Sequence, residues 1–409
     1  MNLIEGNITT PKGFRAAGAA IGIKKNGKKD LCLLASDMPA TAAGVFTTNV
    51  VKAAPVAWDM EIVSSGKPVR GLVVNSGNAN ACTGQQGVDD TQAMAAAFAG
   101  GLQARADEVL VCSTGVIGVP LPIAKITNGI TATAPTLGGT PADGTAAVEA
   151  IMTTDTFAKT VAAKLTLPSG GTVCLGGMAK GSGMIHPNMA TMLGFVTTDC
   201  AISQPLFAKA LKAAADDTFN MVSVDGDTST NDTLLALANG AAGNTPIESE
   251  NADYAAFASA LMAVCKKLAI DVARDGEGAT RLLEITVTGA KTEADARTLA
   301  RSVSASSLFK AMMFGADANF GRVLCAMGYS GAGFNPDKAD IAFRDESGRK
   351  LSVMENGVPL GFDEDYAKQV LTNPTVYIDI TLADGAGKAT AWGCDLTYDY
   401  VKINGDYRS

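Results

Sequence analysis

Residues 178–199 read MAKGSGMIHPNMATMLGFVTTD, and the rest of the chain can be arranged around them. Up to Ala190 the stretch is rich in Gly, Ser, Pro and Asn, which predicts a loop. From Thr191 the run TMLGFVTT alternates. Met192 and Val196 point one way while Leu193, Phe195 and Thr197 point the other, the pattern of a buried strand. A hydroxyl residue preceded by a small one, where a glycine-rich loop meets such a strand, is where a self-cleaving chain would place a new N-terminal nucleophile. The candidate cleavage point is therefore between Ala190 and Thr191, and the candidate nucleophile is Thr191.

Elimination sharpens this reading. The chain has one histidine, His186, so a Ser-His-Asp or Cys-His arrangement can be built only around that residue, and sites with two or three histidine ligands are excluded. An N-terminal threonine needs no histidine, because its own α-amine, with a reference pKa of roughly 7.7 to 8.0, can take the hydroxyl proton at neutral pH. That amine exists only if the bond before Thr191 is broken. The competing reading is a plain loop followed by a strand that happens to contain Thr, a common strand residue.

Composition bounds the rest. With 409 residues, 47% of them hydrophobic and 18% charged, the chain is globular and too long for one ordinary core. A net charge of −8 argues against nucleic acid or an anionic membrane as partner. There is neither an apolar run long enough for a transmembrane helix nor a secretory signal at the start. The eight cysteines are scattered without a CxxC pair. Together these features predict a reduced, cytoplasmic protein.

Along the chain, Asn26-Gly27 between two strand-like runs predicts a hairpin, and Thr91 to Gln103 a packed helix. Val109 to Cys112 reads as a strand stopping at Ser113-Thr114-Gly115, where backbone amides can converge on a developing oxyanion or simply form a turn. Thr131 to Gly144 reads as an exposed connection, followed by a helix ending near Ile151. Thr172 to Leu175 is a strand leading to Lys180, which suits either a substrate carboxylate or the solvent. SVDGDTSTND at 223–232 has three carboxylates without the spacing of a calcium loop, so no metal is expected. A long amphipathic helix from Tyr254 to Arg274 precedes Asp275-Gly276-Glu277-Gly278, and a second helix is expected from Arg297 to Phe314. Alternation at Val376, Ile378 and Ile380, then a glycine turn into Trp392, predicts a C-terminal hairpin. Strands with glycine-rich turns interleaved with long helices make the class α/β with mixed sheets.

KGSGMIHPNMATMLGF resembles the signature of the ornithine acetyltransferase family, also called the bifunctional glutamate N-acetyltransferase or ArgJ family. Further segments match in order: PKGFRAAG at 11–18, VFTTN at 45–49, NSGNANACTG at 75–84, STGVIG at 113–118, MTTDT at 152–156, GADANFGR at 315–322 and NGDYRS at 404–409. The resemblance implies two interlocked α/β domains of the ArgJ/DmpA-like type, 1–190 and 191–409, separated by self-cleavage and reassociating as an α2β2 heterotetramer. It implies transfer of acetyl from N2-acetylornithine to glutamate through an acetyl-Thr191, with Thr114 and Gly115 as the oxyanion hole. Thr154, one of an adjacent pair with Thr153, then contacts substrate together with Lys180, Thr191, Glu277, Asn404 and Ser409. The family more often ends in Thr than Ser, and the hydroxyl is kept. No cofactor is implied, and acetyl-CoA stays open as a second donor. The alternative is an N-terminal-nucleophile aminopeptidase or amidase of related fold.

Overall fold

Two runs of strands, each with an apolar face to bury, build two separate sheets in the computed structural model, which describes residues 1–186 and 192–406. The class is mixed α/β, as the sequence predicts. The first sheet has nine strands among the described residues: β1 (Asn2–Ile4), β2 (Phe14–Ala19), β3 (Leu31–Phe46), β4 (Val69–Asn78), β5 (Val109–Val116), β6 (Lys159–Thr166), β7 (Thr172–Lys180), β8 (Leu193–Thr198) and β10 (Thr233–Ala238). The second holds β9 (Val222–Ser223), β11 (Leu282–Ala290), β12 (Asp340–Asp345), β13 (Lys350–Glu355), β14 (Val358–Pro359), β15 (Thr375–Thr381) and β16 (Gly387–Cys394).

The chain forms two compact units. The first comprises Met1–Gly181, Asn188–Asp216 and Thr228–Leu268, and the second comprises Ser182–Pro187, Asp217–Asp227 and Ala269–Ser409. The units thus draw on the chain differently from a division between 190 and 191. In the first sheet the order is β1-β6-β7-β8-β10-β3-β4-β5, so β8 and β10 lie between strands that precede residue 190. β8 pairs antiparallel with β7 and parallel with β10, and β10 pairs antiparallel with the second half of β3. The first half of β3 pairs instead with β2 and β4, so one sixteen-residue strand serves two sets of neighbours. β8 and β10, buried throughout, show the unbroken apolar or small character of strands covered on both faces.

Helices α1 (Ala54–Ser65), α2 (Gly84–Leu102), α3 (Ile123–Thr133) and α4 (Pro141–Ile151) cover the β2–β5 part. Phe98 of α2 and Ile126 and Ile130 of α3 are fully buried in one cluster with Leu33, Val73 and Val111. The region 131–144, expected as a loop, is partly helical. Thr133 ends α3, and Thr140 caps α4 by accepting from the Asp143 amide, with Pro141 in the first turn. Threonine, proline and glycine mark helix ends here as readily as they mark a loop. β5 runs on through Ser113, Thr114 and Gly115 to Val116 rather than stopping before them, because β4 extends beside it. Helix α5 (Gln204–Asp217) buries Phe207, Ala210, Leu211 and Ala214, and Phe207 meets Phe257 of α6 (Ala252–Arg274) edge on.

In the second unit the strand order is β14-β13-β12-β15-β11-β16-β9. β15 and β16 are therefore not a hairpin: β11 lies between them, parallel to β15 and antiparallel to β16. The alternation and the glycine turn are equally compatible with a chain that passes around the end of a third strand. Gly385 and Gly387 make that passage, since a Cβ on either would collide with backbone carbonyls at 290–292. The helix expected from Arg297 to Phe314 is two helices, α7 (Glu293–Ala305) and α8 (Ser307–Phe314). Ser306 breaks it, capping α8 by accepting from the Phe309 amide. Two further helices in this unit are α9 (Phe320–Gly328) and α10 (Glu364–Leu371), and α11 (Tyr398–Gly405) follows β16. No described helix is long and apolar enough to cross a membrane.

Gly18 of β2 lies against α4 so closely that a Cβ would overlap the Ala146 carbonyl. Neither backbone can give without unpacking a buried layer, so Gly18→Ala should destabilise the protein by about 2 to 3 kcal/mol. Urea unfolding checks this, and a wild-type midpoint would show that the layers can part.

Candidate active site

Thr114 and Gly115 sit where the β4–β5 ladder loses its register. Thr114 pairs with Ser76 and Gly115 with Gly77, and the pairing then slips at Asn78. Such an irregularity redirects the backbone at a strand end. Gly115 has φ +134°, and a Cβ there would land on the backbone of Gly77 and Asn78, so only glycine fits. The segment just before β10 closes on this point. The Asn231 side-chain amide donates to the Ala79 carbonyl at 2.6 Å and to the Ser113 carbonyl at 2.9 Å, gripping the ends of both strands. The VFTTN segment supports it from the other side: Thr47 Oγ1 donates to the Ser229 carbonyl, and the Thr47 amide to that of Asp232.

Next to Asn231, the carboxylate of Asp232 accepts the Met192 amide on Oδ1 at 3.2 Å. Two adjacent side chains thus connect the irregular end of β5 around Thr114 and Gly115 with the residue that follows Thr191. Asp232 is fully buried, and its Oδ2 makes no hydrogen bond among the described residues. Burial pushes its pKa well above the usual carboxylate range, outweighing the Met192 amide, the Lys180 charge and Ser229, whose amide and hydroxyl come near without an ordinary bond to Oδ2.

Lys180 ends β7, paired across the strands with Leu193, and is only 3% exposed, so it is no solvated surface charge. Beside it, Asp155 ties the two segments expected to touch substrate. Its carboxylate accepts the Thr153 amide at 2.8 Å and the Gly181 amide at 2.8 Å, and forms a fully buried ion pair with Lys159 at 2.7 Å. Burial alone would raise the Asp155 pKa, yet the charges of Lys180 and Lys159 with the Gly181 amide hold it down at about 2. Thr154, half-buried, lies between the two residues this network fixes. Lys24 joins from the β2–β3 connection, its Nζ donating to the Met152 carbonyl at 2.7 Å. Burial, opposed by Asp30 and Asp155, brings its pKa down to about 8.

In the second unit Glu277 is 7% exposed rather than a free turn carboxylate. Its amide donates to the Ser182 carbonyl, Ser182 Oγ donates to the Asp275 carbonyl, and Asn404 Nδ2 donates to Glu277 Oε2 at 2.8 Å. The structure therefore brings together Glu277 and Asn404, two of the residues singled out from sequence. Gly183 lies under that carboxylate, where a Cβ would collide with it. His186 shares a 3.1 Å hydrogen bond with Ser223 Oγ, and burial, then Arg301, lowers its pKa, so at neutral pH it is an uncharged imidazole. Burial pushes the thiols of Cys32, Cys200 and Cys265 up to about 12, which removes them as nucleophiles at neutral pH. Ala190, Thr191 and Ser409 lie outside the described residues.

Three residues escaped the sequence reading. Asn231 and Asp232 belong to an oxygen-rich stretch weighed only as a metal loop, and Asp155 stands beside the threonines that drew attention. The available signal was an acidic residue immediately before TLLALA, a strand with no polar face, which predicts a buried carboxylate. Among the described residues no cluster of His, Cys, Asp and Glu suits a metal ion.

Asp155→Ala strands Lys159 in the interior and should cost about 3 to 5 kcal/mol, while adding Lys159→Met should recover most of it. Because the folded pKa of Asp155 lies below the unfolded value of about 3.9, its stabilisation is complete above that value and disappears as pH falls toward 2. Urea midpoints of the wild type and the double variant should therefore converge on acidification, and parallel curves would contradict the assignment.

Comparison with known proteins identifies the family. The model of the ArgJ family matches residues 15–409. The arginine biosynthesis bifunctional protein ArgJ of Symbiobacterium thermophilum is 55% identical over 411 residues, covering 100% of both chains. Its namesake in Caldanaerobacter subterraneus is 50% identical over 409 residues, again covering 100% of both. The crystal structure of the Bacillus halodurans protein of that name is 45% identical and covers 53% of this chain and 100% of that one, with a TM-score of 0.51. By the family model and by identity along its whole length, the chain belongs to the ArgJ family.

Proposed function

We propose that this protein is a self-cleaving N-acetyltransferase of arginine biosynthesis that moves acetyl from N2-acetylornithine to glutamate through an acetyl-threonine on Thr191. Family membership and the name carried by its relatives support the pathway. The structural support is the Asn231–Asp232 pair, which connects the end of β5 at Ser113–Gly115 with the amide of Met192.

Cleavage comes first. The Thr191 hydroxyl attacks the Ala190 carbonyl, the acyl group shifts from nitrogen to oxygen, and water releases 1–190 from 191–409. The free α-amine then takes the hydroxyl proton, and Thr191 attacks the acetyl carbonyl of N2-acetylornithine. Thr114 and Gly115 stabilise the oxyanion, each donor contributing about 2.7 to 4 kcal/mol to barrier lowering. Ornithine leaves, glutamate enters, and N-acetylglutamate departs. Lys180 and Thr154, and Glu277 with Asn404 and Ser409, recognise the carboxylate and ammonium groups the two amino acids share. The fragments assemble as an α2β2 heterotetramer in the cytoplasm.

Intact mass with N-terminal sequencing of the denatured protein tests the first stage. Two species are expected, one beginning Thr191-Met192-Leu193, and a single full-length species with acetyltransferase activity would refute the amine mechanism. For the second stage, double-reciprocal plots for the two substrates should be parallel, as a covalent acetyl-enzyme requires. Intersecting lines would remove that intermediate.

A further inference from the structure

The connection between β2 and β3 is wound around one buried carboxylate. Asp30, fully buried, accepts the amides of Ile21 at 2.7 Å, Ile23 at 2.5 Å and Lys24 at 2.9 Å, and its carbonyl accepts the amide of Ser76. A carboxylate with three amides fixes a backbone that has no strand or helix of its own to satisfy it. The loop is thereby tied to the end of β4, where Ser76 and Gly77 pair with Thr114 and Gly115.

Lys24 reaches from this loop to the segment after α4. Its Nζ donates to the Met152 carbonyl at 2.7 Å and to the Lys29 carbonyl at 2.6 Å. Its stem, with Ile23, covers Gly77, where a Cβ would press on both side chains. The Met152 carbonyl and the Thr153 amide belong to one peptide group, so Lys24 holds its oxygen while Asp155 holds its hydrogen. A second bond joins the same two regions, since Ser76 Oγ donates to the Ala150 carbonyl at 2.5 Å. We propose that Lys24 is a positioning residue for acetyl transfer: its ammonium clasps the peptide group next to Thr154 and fixes that residue relative to the end of β5 at Thr114 and Gly115. The inference rests on the acetyl-transfer reading, in which Thr154 meets substrate and Thr114 and Gly115 stabilise the oxyanion.

A side chain that places a binding residue without touching the reacting atoms affects ground state and transition state alike, so its loss shows in KM. The charge of the clasp also titrates within reach of experiment. Burial lowers the Lys24 pKa to about 8, with Lys180 and Lys28 acting in the same direction and Asp30 and Asp155 against it. Above that pH the neutral amine donates to the two carbonyls about half as strongly, and the clasp loosens.

The test is steady-state kinetics with N2-acetylornithine and glutamate, from about pH 7 to 9.5, for the wild type, Lys24→Met and Lys24→Arg. Methionine keeps a stem over Gly77 and loses both bonds, so Lys24→Met should raise KM for both substrates about 10-fold and leave kcat within about twofold. Arginine keeps donors and charge throughout this range, so Lys24→Arg should recover most of the affinity. The wild-type KM should rise as pH passes about 8, while the high KM of Lys24→Met and the low KM of Lys24→Arg should not follow it. The Thr191 amine and the substrates titrate nearby but are common to all three proteins, so the differences between profiles report on Lys24. A wild-type KM in Lys24→Met, or a loss confined to kcat, would overturn the proposal alone. Equal loss in Lys24→Met and Lys24→Arg would assign the effect to shape and also overturn it. A wild type that transfers no acetyl between these substrates would overturn the underlying reading and the proposal with it. Should Lys24→Met fail to fold, the other two proteins decide: a rise in the wild-type KM that Lys24→Arg lacks supports the clasp, and parallel profiles exclude it.

Discussion

The side-chain amide of Asn231 is the contact that ties the ladder between β4 and β5 to the start of β10. One side chain holds two carbonyls, from Ala79 beyond β4 and from Ser113 within β5, at the place where the ladder between those strands loses its register. Without it a pair of buried carbonyls would lose their donor, and the irregular end would have no fixed distance from the start of β10. With it, the segment 229–232 becomes a rigid strap, held also by Thr47. Met192, the residue before β8, is held from this strap through Asp232.

Charge in this region follows one logic with two outcomes. Asp155 and Asp232 are both buried, and both feel Lys180. Asp155 has a second lysine in direct contact and two backbone amides, which outweigh desolvation and keep it ionised. At Asp232 the Met192 amide, the Lys180 charge and Ser229 do not offset desolvation, and its pKa is pushed up instead. Divergent environments thus move the pKa values of similar groups apart within one fold.

Much of this was legible in the sequence where the signal was local. The long helix from Ala252 to Arg274, the strand β8 and the helix ending at Ile151 follow from local spacing and composition. The separation of β15 from β16 was not legible, because strand pairing is set by which element inserts between two runs, and alternation carries no trace of it. Ser306 shows the same limit in a helix: the apolar period runs on through the break, and only a serine marks it. In the candidate site, motif resemblance singled out Thr114, Thr154, Lys180 and Glu277, while Asn231, Asp232 and Asp155, which bond to the backbone next to several of them, have no motif of their own.

The placement of β8 and β10 inside the first sheet constrains events in time. Both strands follow residue 190, and each is flanked by strands that trace, on one side or through each other, to the chain before it. Made as separate molecules, the two halves would each present long unpaired strand edges, β7 and β3 on one and β8 and β10 on the other, which is the structural recipe for aggregation. A break before residue 191 would be harmless only once these strands had paired, so any such cut would have to follow folding.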